Sequence, residues 1–252
     1  MELLATFLIY IYYFGIPAIV LADLIIAIMI ICTKDRPTKL LGIWMIVGSI
    51  HALLASVYGI MIHFSEPEFA SRVSGFISIV SIVFGTLSSI LFVLYVAKKY
   101  GMKLYQGIIL ILGSDAIGIL IRLILIKALN SKDFASGLQY AYFINIISSL
   151  PSIAVAVIWF VIFFKNRHKE KELKLLWLIP LNSLIGIAFN FIVNLYTYFS
   201  AAQDAASSYK DHTYLLMVEA IAATIIALLL KIYVLVKGRK ASEDNQLIIV
   251  DE

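Results

Sequence analysis

Residues 98–128 read KKYGMK followed by LYQGIILILGSDAIGILIRLILIKA, and this stretch decides the fold. Three lysines, Lys98, Lys99 and Lys103, stand before a 25-residue run whose only charged members are Asp115, Arg122 and Lys127. At about 1.5 Å per residue such a helix is about 37 Å long, more than the ~30 Å of a bilayer's hydrocarbon core. Its apolar residues cover every face, as in a membrane helix and unlike the one-sided stripe of a soluble surface helix.

Six more segments of this kind follow on either side: residues 5–31, 40–62, 73–97, 138–164, 175–199 and 213–236. The fold class read from them is all-α: a polytopic membrane protein, a seven-transmembrane-helix bundle. Composition agrees, because 62% apolar residues with 14% charged ones leave too little polar surface for a soluble globule. The first segment is full length with no basic stretch before it, so it reads as an anchor and not as a cleaved signal.

Charge sets the expected orientation. Lys34, Arg36 and Lys39 follow the first segment, and Lys98, Lys99 and Lys103 follow the third. Lys165, Arg167, Lys169, Lys171 and Lys174 follow the fifth, with Lys237, Arg239 and Lys240 after the seventh. Together these are fourteen of the twenty basic residues. The opposite loops carry Arg72, Lys132 and Lys210 among Glu66, Glu68, Asp133, Asp204 and Asp211. Basic loops stay in the cytoplasm, so the expectation is an N-terminus outside, a cytoplasmic C-terminus and a plasma-membrane location. The net charge of +4 then reports topology, with the lipid bilayer as partner and no nucleic acid implied.

Residues 1–240 are expected to form one transmembrane domain and residues 241–252 a cytoplasmic tail without fixed structure. That tail carries the apolar run Leu247-Ile248-Ile249-Val250, which with the third inner loop is a possible docking point for a protein partner. Cys32 is the single cysteine, so no internal disulfide forms. Two weak internal similarities suggest a three-plus-one-plus-three repeat: Pro17-Ala-Ile-Val aligns with Pro151-Ser-Ile-Ala, and Gly48-Ser49 with Asn182-Ser183.

Ionisable residues inside apolar spans are costly and mark sites. They are Asp23, His51, Asp115, Arg122, Glu219 and Lys231. Counting turns matches them in depth as three couples: Arg122 with Glu219, His51 with Asp115, and Asp23 with Lys231. Lys231, near its helix end, reads as a snorkelling residue. Asp115, Gly118 and Arg122 share one helix face. Asn182, Gly186, Asn190 and Asn194 recur every four residues and form a polar stripe. Such stripes serve either close helix packing or a polar cavity. Pro17, Pro151 and Pro180 are possible kinks.

Several chemistries find no motif: no His-Glu-x-x-His, no Gly-x-Ser-x-Gly and no signature of a G-protein-coupled receptor. The expectation is therefore no enzyme, no metal and no cofactor. The leading expectation is a transporter or channel-like protein for a small polar solute or ion. Its pathway residues would be Asp115, Arg122, His51, Glu219, Asn182, Asn190 and Asn194. The alternative is a ligand-sensing receptor or a membrane accessory subunit.

Overall fold

The computed structural model describes residues 2–32, 36–64, 67–128, 134–169, 173–201 and 205–250. The loop charges Lys34, Glu66, Lys132, Asp133, Glu170, Lys171, Glu172 and Asp204 lie outside them. The described chain is all-helical: α1 (Glu2–Tyr10), a π-helical turn (Ile11–Gly15), α2 (Ile16–Ile31), α3 (Arg36–Phe64), α4 (Pro67–Tyr100), α5 (Leu104–Ala128), α6 (Phe134–Asn166), a short 3-10 turn (Arg167–Lys169), α7 (Leu178–Ser200) and α8 (Ala205–Val250).

Among the described residues, seven helices are long and apolar enough to cross a membrane. The first, Thr6–Ile31, runs from α1 through α2. The others are Lys39–Met61, Ile79–Tyr100, Leu104–Ala128, Gln139–Asn166, Leu178–Ser200 and Lys210–Lys237. Large apolar side chains stand exposed along them, among them Ile79, Ile82, Ile109 and Leu120. An exposed apolar surface of this extent belongs in lipid.

Local chemistry explains the interruptions. Pro17 has no N–H, and its ring would crowd the carbonyl of Tyr13 in a regular helix. The preceding turn widens instead, with the Ile16 N–H donating to the Ile11 carbonyl in π fashion. Pro151 lies inside α6 without ending it. The two prolines that the repeat would pair thus sit in different backbone settings. Pro180 is the third residue of α7, whose first turn has free N–H groups in any case, so it starts the helix and does not kink it. The sixth apolar segment accordingly begins its helix at Leu178 and not at residue 175. Gly101, at φ +72°, ends α4, and its N–H donates to the Ala97 carbonyl at 3.0 Å. The last helix continues through Val250, so most of the stretch read as a tail is drawn as one helix with α8.

The chain divides into two compact units. One comprises Tyr10–Gly107, Asn166–Leu176 and Thr224–Glu252. Within it α3 packs against α2 on one side and α4 on the other. The buried face of α2 is Ile16, Val20, Asp23, Ala27 and Ile30, a repeat of four and three residues suited to helix-on-helix packing. Gly42 lets α3 reach α2: a Cβ there would lie 2.9 Å from Ile31 Cγ1 and 3.2 Å from the Ile31 backbone nitrogen. The Trp44 and Phe92 rings, 5.1 Å apart, join α3 to α4.

The other unit comprises Met1–Ile9, Ile108–Lys165 and Trp177–Ala223. Here Gly118 brings α5 against α6, with a Cβ at that position 3.1 Å from the Ser148 carbonyl oxygen. Trp177 packs on Phe160 and Phe164. Gln139 donates to the Tyr198 carbonyl, tying α6 to α7.

Two glycines separate packing from flexibility. Gly42→Ala should lower stability by about 1–3 kcal/mol through overpacking. Gly113→Ala, with nothing within 4 Å of the new methyl, should be neutral or gain about 0.5–1 kcal/mol. Denaturation of the two variants in detergent micelles checks this ordering.

Candidate functional site

The first candidate lies wholly in the unit built on α2, α3 and α4. Asp23 falls on the buried face of α2, Ser49 lies two turns beyond Gly42 on α3, and Lys231 projects from α8. The Lys231 ammonium pairs with Asp23 Oδ2 and donates a hydrogen bond to Ser49 Oγ at 2.8 Å. Ser49 Oγ also lies 2.8 Å from Asp23 Oδ2 and 2.8 Å from the Met45 carbonyl, so its single proton serves one of two acceptors. Asp23 is 6% exposed and Ser49 1%. Asp23 Oδ1 is buried with no partner among the described residues.

Lys231 therefore does not snorkel. Its ammonium turns inward because Asp23 and Ser49 satisfy it there, and because an isolated carboxylate in an apolar span costs far more than a paired one. Depth matching of Asp23 with Lys231 was the sequence signal for this pair; Ser49 entered only through the repeat alignment of Gly48-Ser49, not as a partner of these charges. The contact has the atoms of a serine–lysine dyad, but a lysine held by a carboxylate has no lone pair to act as base. The cluster is arranged to join three helices.

The second candidate is a cavity of about 400 Å³ in the same unit, between α3 and α4. His51, Tyr58, Ser81 and Thr86 are its polar lining, with Ala55, Ile77 and Ile82 supplying apolar walls. His51 Nδ1 lies 3.2 Å from Ser81 Oγ. Its ring packs against Gly85, where a Cβ would sit 3.4 Å from His51 Cε1.

The third candidate lies in the other unit, between α7 and the first half of α8. Glu219 is partly exposed, and its Oε1 lies 2.7 Å from where a Cβ on Gly186 would be. A side chain at residue 186 would displace the carboxylate from this position. One turn away, Asn182 Nδ2 donates to the Ala223 carbonyl at 3.4 Å, fixing the register of α7 on α8. Asn194 is 4% exposed and donates to Asn190 Oδ1 at 2.6 Å and to the Asn190 carbonyl at 2.7 Å. Asn190 itself is exposed. Farther along, fully buried Thr197 lies 3.0 Å from His212 Nδ1, and the Tyr142 ring is 4.8 Å from the His212 ring. This last cluster escaped the sequence reading, because a histidine near a helix end has no distinctive spacing.

The remaining pathway residues are not gathered with these. Asp115 and Arg122 are exposed on α5. Gly118, on the same face, meets α6 at the Ser148 carbonyl, while Asp115 and Arg122 to either side of it remain exposed. No ion pair joins Arg122 to Glu219 among the described residues, and no group of three or more His, Cys, Asp or Glu there could hold a metal ion.

Comparison with family models, characterised proteins and solved structures finds no match to this chain.

The three-helix junction makes a direct prediction. Ser49→Ala removes a hydroxyl that bridges two buried charges and should cost about 1–3 kcal/mol. Ser56→Ala on the same helix removes only a back-bond to the Ala52 carbonyl and should cost less than about 0.5 kcal/mol. Equal unfolding midpoints for the two variants would contradict the bridging role.

Proposed function

We propose that this chain is a non-enzymatic, multi-pass transport or channel-like protein that moves a small polar solute or ion across the plasma membrane. The observation that carries this reading is the Glu219 carboxylate in its glycine notch. It stands in a span otherwise built to meet lipid, and no cationic side chain pairs with it among the described residues. A bare carboxylate is expensive in such a place, so it takes up a proton or a metal cation, or it faces water. Each of these is a step in moving something polar. Asn182 and Asn190, one turn to either side of Gly186, add amide groups along the same stripe, and Asn194 extends it. In this reading Asp115 and Arg122 lie on a flank of α5 that water or a neighbouring subunit covers.

The proposal includes the orientation set by the basic loops, with the N-terminus outside and the C-terminus in the cytoplasm. It also includes a repeat relating the first three spans to the last three, as in transporters built from parallel repeats. The second reading, a ligand-sensing membrane protein or an accessory subunit, is favoured by one observation, the cavity beside His51.

Two measurements test the proposal. In a Cys32→Ser background, Lys103→Cys should react with a membrane-impermeant maleimide only from the cytoplasmic side, and Lys210→Cys only from outside. Both positions are exposed. Reaction of position 103 in intact cells would overturn the orientation. In proteoliposomes, the purified protein should move protons, sodium ions or a neutral sugar, read with an entrapped pH dye, ²²Na⁺ and ¹⁴C-glucose. Glu219→Gln, which keeps the shape and removes the charge, should fold normally and lose at least about tenfold of that flux. A folded Glu219→Gln protein with wild-type flux would remove Glu219 from the pathway, and no flux of any probe would favour the sensing reading.

A further inference from the structure

We propose that the cavity between α3 and α4 is a binding site for a neutral, lipid-soluble molecule carrying one hydroxyl group, such as a phenol or a small alcohol, held by His51. The cavity is independent of Glu219, so this inference stands or falls apart from the transport reading.

Its size comes first. A volume of about 400 Å³ lies at the small end of the ~300–1,000 Å³ range of sites for small organic ligands. Its walls come second. Ala55, Ile77 and Ile82 are apolar and no Asp, Glu, Lys or Arg lines the space among the described residues, so a charged guest would lose its hydration without compensation. The location gives the route. Ala55 and Ile82 are exposed, Ile82 at 67%, and both belong to helices long and apolar enough to cross a membrane. A guest entering past them comes from the bilayer and must be soluble there.

The polar group follows from histidine chemistry. Nδ1 is engaged by Ser81, while Nε2 has no partner among the described residues. If Ser81 donates to Nδ1, the neutral ring carries its proton on Nε2 and offers a donor. If Nδ1 donates to Ser81, Nε2 offers an acceptor. A hydroxyl satisfies either tautomer because it both donates and accepts; a ketone or an ether satisfies only the first. Tyr58 and Thr86 line the same space, and a hydroxyl of either can receive or return the second hydrogen bond. Gly85 lies directly against the imidazole: a Cβ there would make van der Waals contact with the ring at 3.4 Å.

The test uses 4-hydroxybenzophenone, which carries both the hydroxyl and a photoreactive ketone, on the full chain in phosphatidylcholine nanodiscs. Benzophenone, which lacks the hydroxyl, is the control. Illumination followed by peptide mass mapping should place saturable adducts on the α3 and α4 segments around Ala55, Ile77 and Ile82. The hydroxylated probe should half-saturate at a concentration about tenfold lower than the control, the equivalent of one net hydrogen bond. His51→Phe should abolish that difference while leaving weak labelling by both probes. Ala55→Leu, an exposed change that fills the mouth, should reduce labelling by both without disturbing the fold. Equal labelling by the two probes in the native protein, as expected of a groove filled only by lipid acyl chains, would overturn the inference. So would adducts spread evenly over the exposed helices, or a hydroxyl preference that survives His51→Phe.

Discussion

The Lys231 ammonium buried against Asp23 and Ser49 constrains more of this structure than any other contact. Each charge alone would be intolerable in a helix meant for lipid. Together they are tolerable only if α2, α3 and α8 hold one register, because a shift of one helix by a single turn separates the pair. The neighbouring sequence serves that register. Val20 and Ala27 flank Asp23 on the buried face of α2, and Gly42 lets α3 come close enough for Ser49 to reach both partners. Helix association in lipid has little hydrophobic driving force, so close packing and such polar contacts carry it. The pair is better understood as a specifier of arrangement than as a large net source of stability.

Glu219 shows the opposite solution to the same problem. Its carboxylate also enters an apolar span, and a glycine also makes room for it, yet no cationic side chain meets it among the described residues. One acid is compensated inside the protein and is structural. The other has no such partner among the described residues, and the proposed transport role rests on it. His51 lies between these cases: one ring nitrogen is engaged by Ser81, and the other has no partner among the described residues, in a ring that lines a cavity. Glycine recurs at all three places: at Gly42 and Gly186 a neighbouring side chain comes closer than a Cβ permits, and at Gly85 the His51 ring lies in direct contact.

Much of this was legible in the sequence, for identifiable reasons. Span length is set directly by bilayer thickness, so each of the seven apolar runs falls on one long helix. Depth along a helix is also a simple count, which is how Asp23 and Lys231 could be matched across more than two hundred positions. Rotation about the helix axis was not legible. Helices that are apolar on every face carry no stripe to say which side points inward, so Asp115 and Arg122 could be assigned to a shared face but not to an exposed one. Side-chain direction was equally hidden: Lys231 could turn outward or inward, and only its neighbours decide. Ser49 was legible only as part of a repeat and Gly85 only as a small residue in a packing stripe. Their roles exist only once α2, α4 and α8 are placed beside α3.

The most direct test of the three-helix junction is a double-mutant cycle on Asp23→Asn and Lys231→Met, measured by reversible unfolding in bicelles. Each single change should cost about 3–5 kcal/mol, because it leaves one buried group without its partner. The double variant should cost at least about 2 kcal/mol less than the sum of the singles. If the two effects simply add, within about 0.5 kcal/mol, the pair does not hold these helices together and the account is wrong at its centre.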